Sequence, residues 1–177
     1  MATIDLIVLG MLKTSALSAY DIQKLVEYRN ISKWVKISTP SIYKKVLQLE
    51  EKGLIKGTTI KEGKMPEKAI YTLTDTGEKE FEKLMLDISS KPIHIFLDFN
   101  AVIVNINNLS PDKQKKCLSD IKNNIEILKA YLEDNINSKE QKPEIPTAGM
   151  AVLQQQLILV QAIENWIATL ESMKLFL

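Results

Sequence analysis

Cysteine and histidine are almost missing from this chain, with one of each, Cys117 and His94, among 177 residues. A lone cysteine cannot close an internal disulfide, and the two residues together supply neither a His/Cys metal cluster nor a nucleophile with its base and orienting partner. Only 6 glycines are present, and they do not gather into a phosphate-binding loop. No stretch offers the roughly 18 uninterrupted apolar residues of a membrane span. The start, Met1-Ala-Thr-Ile-Asp, has no basic region, and Asp5 breaks its apolar run, so it does not read as a secretory signal. These gaps weigh against an enzyme, a cofactor or metal protein and a membrane protein, and they point to a cytoplasmic chain. His94 sits in an apolar stretch and reads as a packed side chain, and Cys117 reads as a bystander on a helix.

Hydrophobic residues make up 45% of the chain and charged residues 25%, with 6 prolines, a composition for a folded and mostly helical protein. The formal net charge is +1, but the charge is unevenly spread. Between Ile31 and Lys68 nine lysines stand against four glutamates, whereas from Asp87 onward nine lysines stand against eleven acidic residues. A basic patch on a nearly neutral protein suits a surface that meets a polyanion, although a solvated lysine-rich face would look the same.

The order of elements gives that patch a shape. Ile4, Leu6, Ile7, Leu9 and Met11-Leu12 predict a helix apolar on most sides, one with more than one surface to cover. Ser18-Ala-Tyr-Asp21 predicts a capping box that opens a helix burying Ile22, Leu25 and Val26. After a break at Arg29-Asn30, Thr39 is placed to cap a third helix, with Pro40 at its first position and Gly53 as its left-handed stop. At about 100° per residue, Ile42, Val46 and Leu49 of that helix face inward. Ser41, Lys44 and Gln48 face outward, flanked by Lys45 and Glu51, with Tyr43 between the faces. Hydroxyl, amide and ammonium groups on one face suit base edges and phosphates, though an ordinary surface helix carries such groups too.

Two strand-like runs follow, from Leu54-Ile55 to Ile60 and from Ala69 to Leu73, around the basic turn Lys61 to Lys68. An apolar hairpin with Lys61, Lys64 and Lys68 at its tip is a wing able to reach a neighbouring groove or backbone. Thr74-Asp75 caps the next helix, where Glu78 and Glu80 suit the dipole rather than catalysis.

The C-terminal half differs in texture. His94 to Leu109 is apolar at helical spacing and is expected to be one helix. Ser110-Pro111 opens a helix in which Leu118, Ile121, Ile125, Leu128 and Leu132 step by 3 and 4, the seam of a coiled coil. After a polar, proline-bearing stretch, a last helix from about Ala148 to Phe176 carries Leu153, Leu157, Val160, Ile163, Ile167 and Leu170 beside Trp166. Such apolar helices need cover, and a second copy of the chain is the simplest cover. Phe96, Phe99 and Trp166 form a candidate site for a flat aromatic effector, with core packing as the plainer reading.

Residues 4 to 86 resemble the PadR family of winged helix-turn-helix transcriptional regulators. The resemblance rests on Leu6-Ile-Val-Leu-Gly-Met-Leu12, on Ser18-Ala19-Tyr20-Asp21-Ile22 where the family usually shows His-Gly-Tyr-Glu-Leu, and on Ser38-Thr-Pro-Ser41-Ile42-Tyr43. It continues through Leu49-Glu50-Glu51-Lys52-Gly53-Leu54 and Gly63-Lys64-Met-Pro66-Glu-Lys68 into Tyr71-Thr-Leu-Thr74-Asp-Thr-Gly77. It implies a mainly α fold with a small β-hairpin wing, a DNA-binding domain over 1–90 and a helical dimerisation domain over 91–177. It also implies a homodimer that represses from a pseudo-palindromic operator in double-stranded DNA, with relief by a small aromatic effector. The DNA-binding candidates are then Thr39, Ser41, Tyr43, Lys44, Lys45, Gln48, Lys61, Lys64 and Lys68. The dimer candidates are Leu6, Leu9, Leu118, Ile121, Ile125, Leu128, Leu157, Val160, Trp166, Ile167 and Leu170. Lys44-Lys45 stands where the family commonly has Pro-Ala, which implies a different operator preference. The competing reading is a winged-helix protein-interaction module that leaves DNA untouched.

Overall fold

The computed structural model describes residues 2–35, 37, 41–61, 67–140, 142 and 145–172 of the chain. The first helix, α1 (Ala2–Thr14), is apolar nearly all round and buries Ile4, Val8, Leu9, Met11 and Leu12. Helix α2 (Ala19–Tyr28) opens on the capping box that the sequence spells out. Ser18 Oγ accepts the Asp21 N–H at 3.1 Å, and Asp21 Oδ2 accepts the Ser18 N–H at 3.1 Å. The chain leaves α2 through Asn30, which takes a left-handed φ of 53°, and makes a single 3-10 turn at Ile31–Lys33. Helix α3 (Ser41–Glu51) ends before Gly53, whose φ of 68° turns the chain so that the Leu54 N–H reaches the Leu49 carbonyl at 3.0 Å.

Strands β1 (Ile55–Ile60) and β2 (Lys68–Leu73) pair antiparallel, in a register running from Ile55 opposite Leu73 to Ile60 opposite Lys68. Helix α4 (Asp75–Ser89) begins at Thr74, whose Oγ1 accepts the Gly77 N–H at 3.1 Å. One apolar core joins these elements through Val8 and Leu9, Ile22 and Val26, Ile42, Val46 and Leu49, Ile55, Tyr71 and Leu84. The mainly α architecture with a small hairpin is the one expected from the sequence.

The chain divides into two compact units, Met1–Ile93 and His94–Leu177. In the second, α5 (Asn100–Asn105) and a 3-10 turn at Ile106–Asn108 precede two long helices, α6 (Pro111–Lys139) and α7 (Thr147–Ser172). The single helix expected over His94 to Leu109 is not formed. Residues 94–99 stand outside any helix, α5 holds only Asn100–Asn105, and beyond it Asn107 and Asn108, weak helix formers, lie in a 3-10 turn, so apolar spacing alone does not hold the run in one long helix.

Helices α6 and α7 pack on each other through Ile121, Ile125, Leu132 and Ile136 on one side and Leu153, Val160, Ile167 and Leu170 on the other. An ion pair of 2.8 Å between Lys129 and Glu164 spans the seam. Ile121, Ile125 and Leu132 of the coiled-coil stripe thus pack within their own chain, while Leu118 is buried outside that cluster and Leu128 is exposed.

Candidate nucleic-acid interface

Helix α3 is split by its burial. Ile42, Val46 and Leu49 are fully enclosed, while Tyr43 is 55% exposed and Lys44 stands in solvent beside it. Ser41 and Gln48 lie at the edges of the outer face, each half-buried. The outward face thus carries a phenol, an ammonium, a hydroxyl and an amide on a helix anchored from behind. That is the inventory for meeting base edges and phosphates.

Lys45 does not belong to that face. It is 7% exposed, and its Nζ lies 2.8 Å from Asp5 Oδ1 of α1. Its expected place beside the outer face conflicts with the helical angle: at about 100° per residue it lies about 60° from Ile42 and about 40° from Leu49, on the inner side. The partner lies forty residues away, where no local pattern reveals it.

The hairpin is held to α3 by a contact that sequence reasoning also missed. The Gly57 N–H donates to Glu50 Oε1 at 2.8 Å, and a Cβ at Gly57 would sit 2.6 Å from that oxygen and 3.0 Å from Tyr71 Cε1. An isolated glycine inside a strand pattern is the available signal for such a close approach. The Tyr71 hydroxyl is pushed up from its ordinary pKa, first by burial and then by the Glu50 charge.

Of the wing lysines, Lys61 is exposed directly after β1. Lys68 opens β2 and pairs with Asp21 at 2.9 Å, which ties the wing to the cap of α2. That lysine and then the Ser18 hydroxyl hold the Asp21 carboxyl below its ordinary value. Thr39 and Lys64 lie outside the described residues.

Several of the expected dimer residues are spent inside their own unit. Leu9 belongs to the core of the first unit, and Ile121, Ile125, Val160, Ile167 and Leu170 belong to the core of the second. Leu118 is also buried. A side chain so far covered by its own chain has little area left for another copy. Leu6 and Leu157 remain half-buried, and Leu128 and Trp166 are exposed.

Trp166 stacks on Phe99 with ring centres 5.9 Å apart and planes at 27°. The two line an apolar cleft of about 450 Å³ together with Leu128, Leu159, Asn100 and Gln156. Phe96 does not join them. It is 85% exposed and stacks on His94 at 5.9 Å, because residues 94–97 adopt no helix to turn it inward.

Among the described residues no group of His, Cys, Asp or Glu could hold a metal ion, and no helix is long and apolar enough to cross a membrane. Residues 8–83 match the model of the PadR-like family of transcriptional regulators. The chain is similar to PadR of Bacillus subtilis in complex with operator DNA at 22% identity and a TM-score of 0.82, covering 97% of this chain and 98% of that one. The same protein in complex with p-coumaric acid gives 20% identity and a TM-score of 0.79, over 96% and 94%. A PadR-like transcriptional regulator from Bacillus cereus is 26% identical, with a TM-score of 0.67 over 96% and 93%. A search of curated proteins finds no match.

Proposed function

We propose, from the match of residues 8–83 to the PadR-like family of transcriptional regulators, that the chain is such a regulator and works in the cytoplasm as a homodimeric repressor on a pseudo-palindromic operator. In this reading α3 enters the major groove, with Ser41, Tyr43, Lys44 and Gln48 toward the bases and phosphates. Lys61, Lys64 and Lys68 of the wing meet the backbone alongside, and Thr39 contacts DNA at the start of the reading helix. The observation that carries the proposal is the division of α3, sealed into the core by Ile42, Val46 and Leu49 while Tyr43 and Lys44 face out. Two copies would set their reading helices about 34 Å apart, one turn of duplex.

The test begins with the DNA that the purified protein retains from its own genome. Affinity for that DNA is expected to fall steeply with salt, and Lys44→Ala should lower the magnitude of the slope by about 1. Ser41→Ala or Gln48→Ala should change sequence preference by about 1–3 kcal/mol. Binding that is absent or indifferent to salt would favour the interaction-module reading instead.

An effector fits the same scheme. The Bacillus subtilis relative was solved with p-coumaric acid, and Phe99 with Trp166 gives this chain a stacking surface beside an apolar cleft. A planar aromatic compound seated there would change the spacing of the two readers and release the operator. Such a compound should quench tryptophan emission and lower DNA affinity together. Absence of both effects across a panel of phenolic acids and flat aromatic drugs would leave Phe99 and Trp166 as packing residues.

A further inference from the structure

The buried residues of α3 are apolar except one, while half-buried Glu50 ties the helix to the hairpin. Ile42, Val46 and Leu49 belong to the hydrocarbon core, and Lys45 lies buried among the same turns. Its ammonium sits 2.8 Å from Asp5 Oδ1, while that oxygen is fully buried and has no well-directed hydrogen bond from any described group. The pair is thus held by charge rather than by hydrogen-bond geometry, and neither member reaches the outer face of the helix.

Apolar contacts are non-directional. Three aliphatic side chains in a close-packed core resist a large roll but can repack around a small one. A charge pair sets the angle more sharply. Rolling by one position carries Lys45 about 100° round the axis, and sliding by one residue moves it about 1.5 Å. Either motion takes the ammonium off the carboxylate in a core where an unpaired charge is costly. Tyr43 and Lys44 immediately precede Lys45, so the direction of Lys45 sets theirs.

We propose that Asp5 and Lys45 are positioning residues, an ion pair that fixes the roll of α3 on α1 and thereby aims Tyr43, Lys44 and Gln48 at their bases. The proposal rests on the reading that α3 contacts DNA. Replacing a buried ion pair by apolar residues of similar volume is often neutral or stabilising, so the role lies in orientation and not in stability.

The experiment compares the wild type, Lys45→Met and the double variant Asp5→Leu/Lys45→Met. Each is measured against the genomic DNA that the wild type retains and against random duplex, over a range of salt. Lys45→Met alone strands Asp5 and can unfold the domain, which the double variant avoids. The double variant is expected to keep its thermal midpoint and the wild-type salt slope. Its preference for retained over random DNA should fall about tenfold, the discrimination of roughly one base pair.

A double variant that discriminates as well as the wild type would overturn the positioning role while leaving the DNA reading intact. So would a salt slope lowered by about 1, which would mark Lys45 as a phosphate contact like Lys44. A wild type that prefers no sequence, or that binds no duplex, would overturn both.

Discussion

At Gly77 the start of α4 passes so close to the turn before β1 that a side chain has no room. A Cβ there would drive into the Leu54 carbonyl oxygen and lie 2.9 Å from Leu73 Cδ1. That carbonyl already accepts the Thr74 N–H at 3.1 Å, so it cannot swing aside without giving up the cap of α4. Gly77→Ala is expected to destabilise the first unit by about 1–3 kcal/mol, the cost of overpacking against backbone. Urea unfolding would measure it, and an unchanged midpoint would mean that the junction yields freely. The sequence marks the place through Thr74-Asp-Thr-Gly77, because a hydroxyl cap and the backbone it serves are neighbours in the chain. Lys45 shows the opposite case. Its spacing from Ile42 and Leu49 puts it on the inner side of α3, but its partner Asp5 is remote in sequence and no local pattern names it.

Among the elements, α2 and the wing are joined by one carboxylate. Asp21 accepts from the Ser18 backbone and hydroxyl and pairs with Lys68 at 2.9 Å, so cap and hairpin share a charge. Its carboxyl titrates below the ordinary 3.8, with the Lys68 contact as the largest cause, the Ser18 hydroxyl next and burial opposing. A depressed carboxylate stabilises the fold above its unfolded pKa, and that contribution is lost as pH falls through the lower, folded value. Lys68→Ala should therefore move the Asp21 titration up toward 3.8, and the onset of acid unfolding should rise with it. Carboxyl carbon resonances would report the shift, and an Asp21 titration indifferent to Lys68 would refute the link.

The elements most legible in the sequence were those with local punctuation. Ser18 and Asp21 opened α2, Gly53 closed α3, and the two strand-like runs around the lysine-bearing turn gave β1 and β2. Residues 94–109 had spacing without punctuation. A period of apolar side chains says which face wants cover, not whether the backbone between them will hold a helix. There residues 94–99 stay outside any helix, and only a short α5 and a 3-10 turn form.

For the whole molecule, the same limit applies to the stripe on α6. Its 3-and-4 spacing showed that a complementary surface exists, but a periodic pattern cannot say whose chain supplies it, and α7 of the same chain takes most of it. Part of what α6 and α7 leave uncovered is a patch around the cleft, where Leu128, Leu159 at 39% and Trp166 at 37% remain in solvent. A patch of this kind closes if two copies meet around a twofold axis, each covering the other with the same residues. Leu159 is exposed in the single chain, so a glutamate there would disturb such an interface and spare the fold of α7.

Sedimentation equilibrium of the wild type should give a dimer at micromolar concentration, and Leu159→Glu a monomer with the same helical content. The monomer would carry one reading helix instead of two. Without the raised effective concentration that a linked partner provides, affinity for a two-half-site duplex should drop by about 10²–10⁴-fold, while affinity for a single half-site stays unchanged. A wild type that sediments as a monomer would remove the dimer. A Leu159→Glu dimer would move its interface to a face other than the one around Trp166.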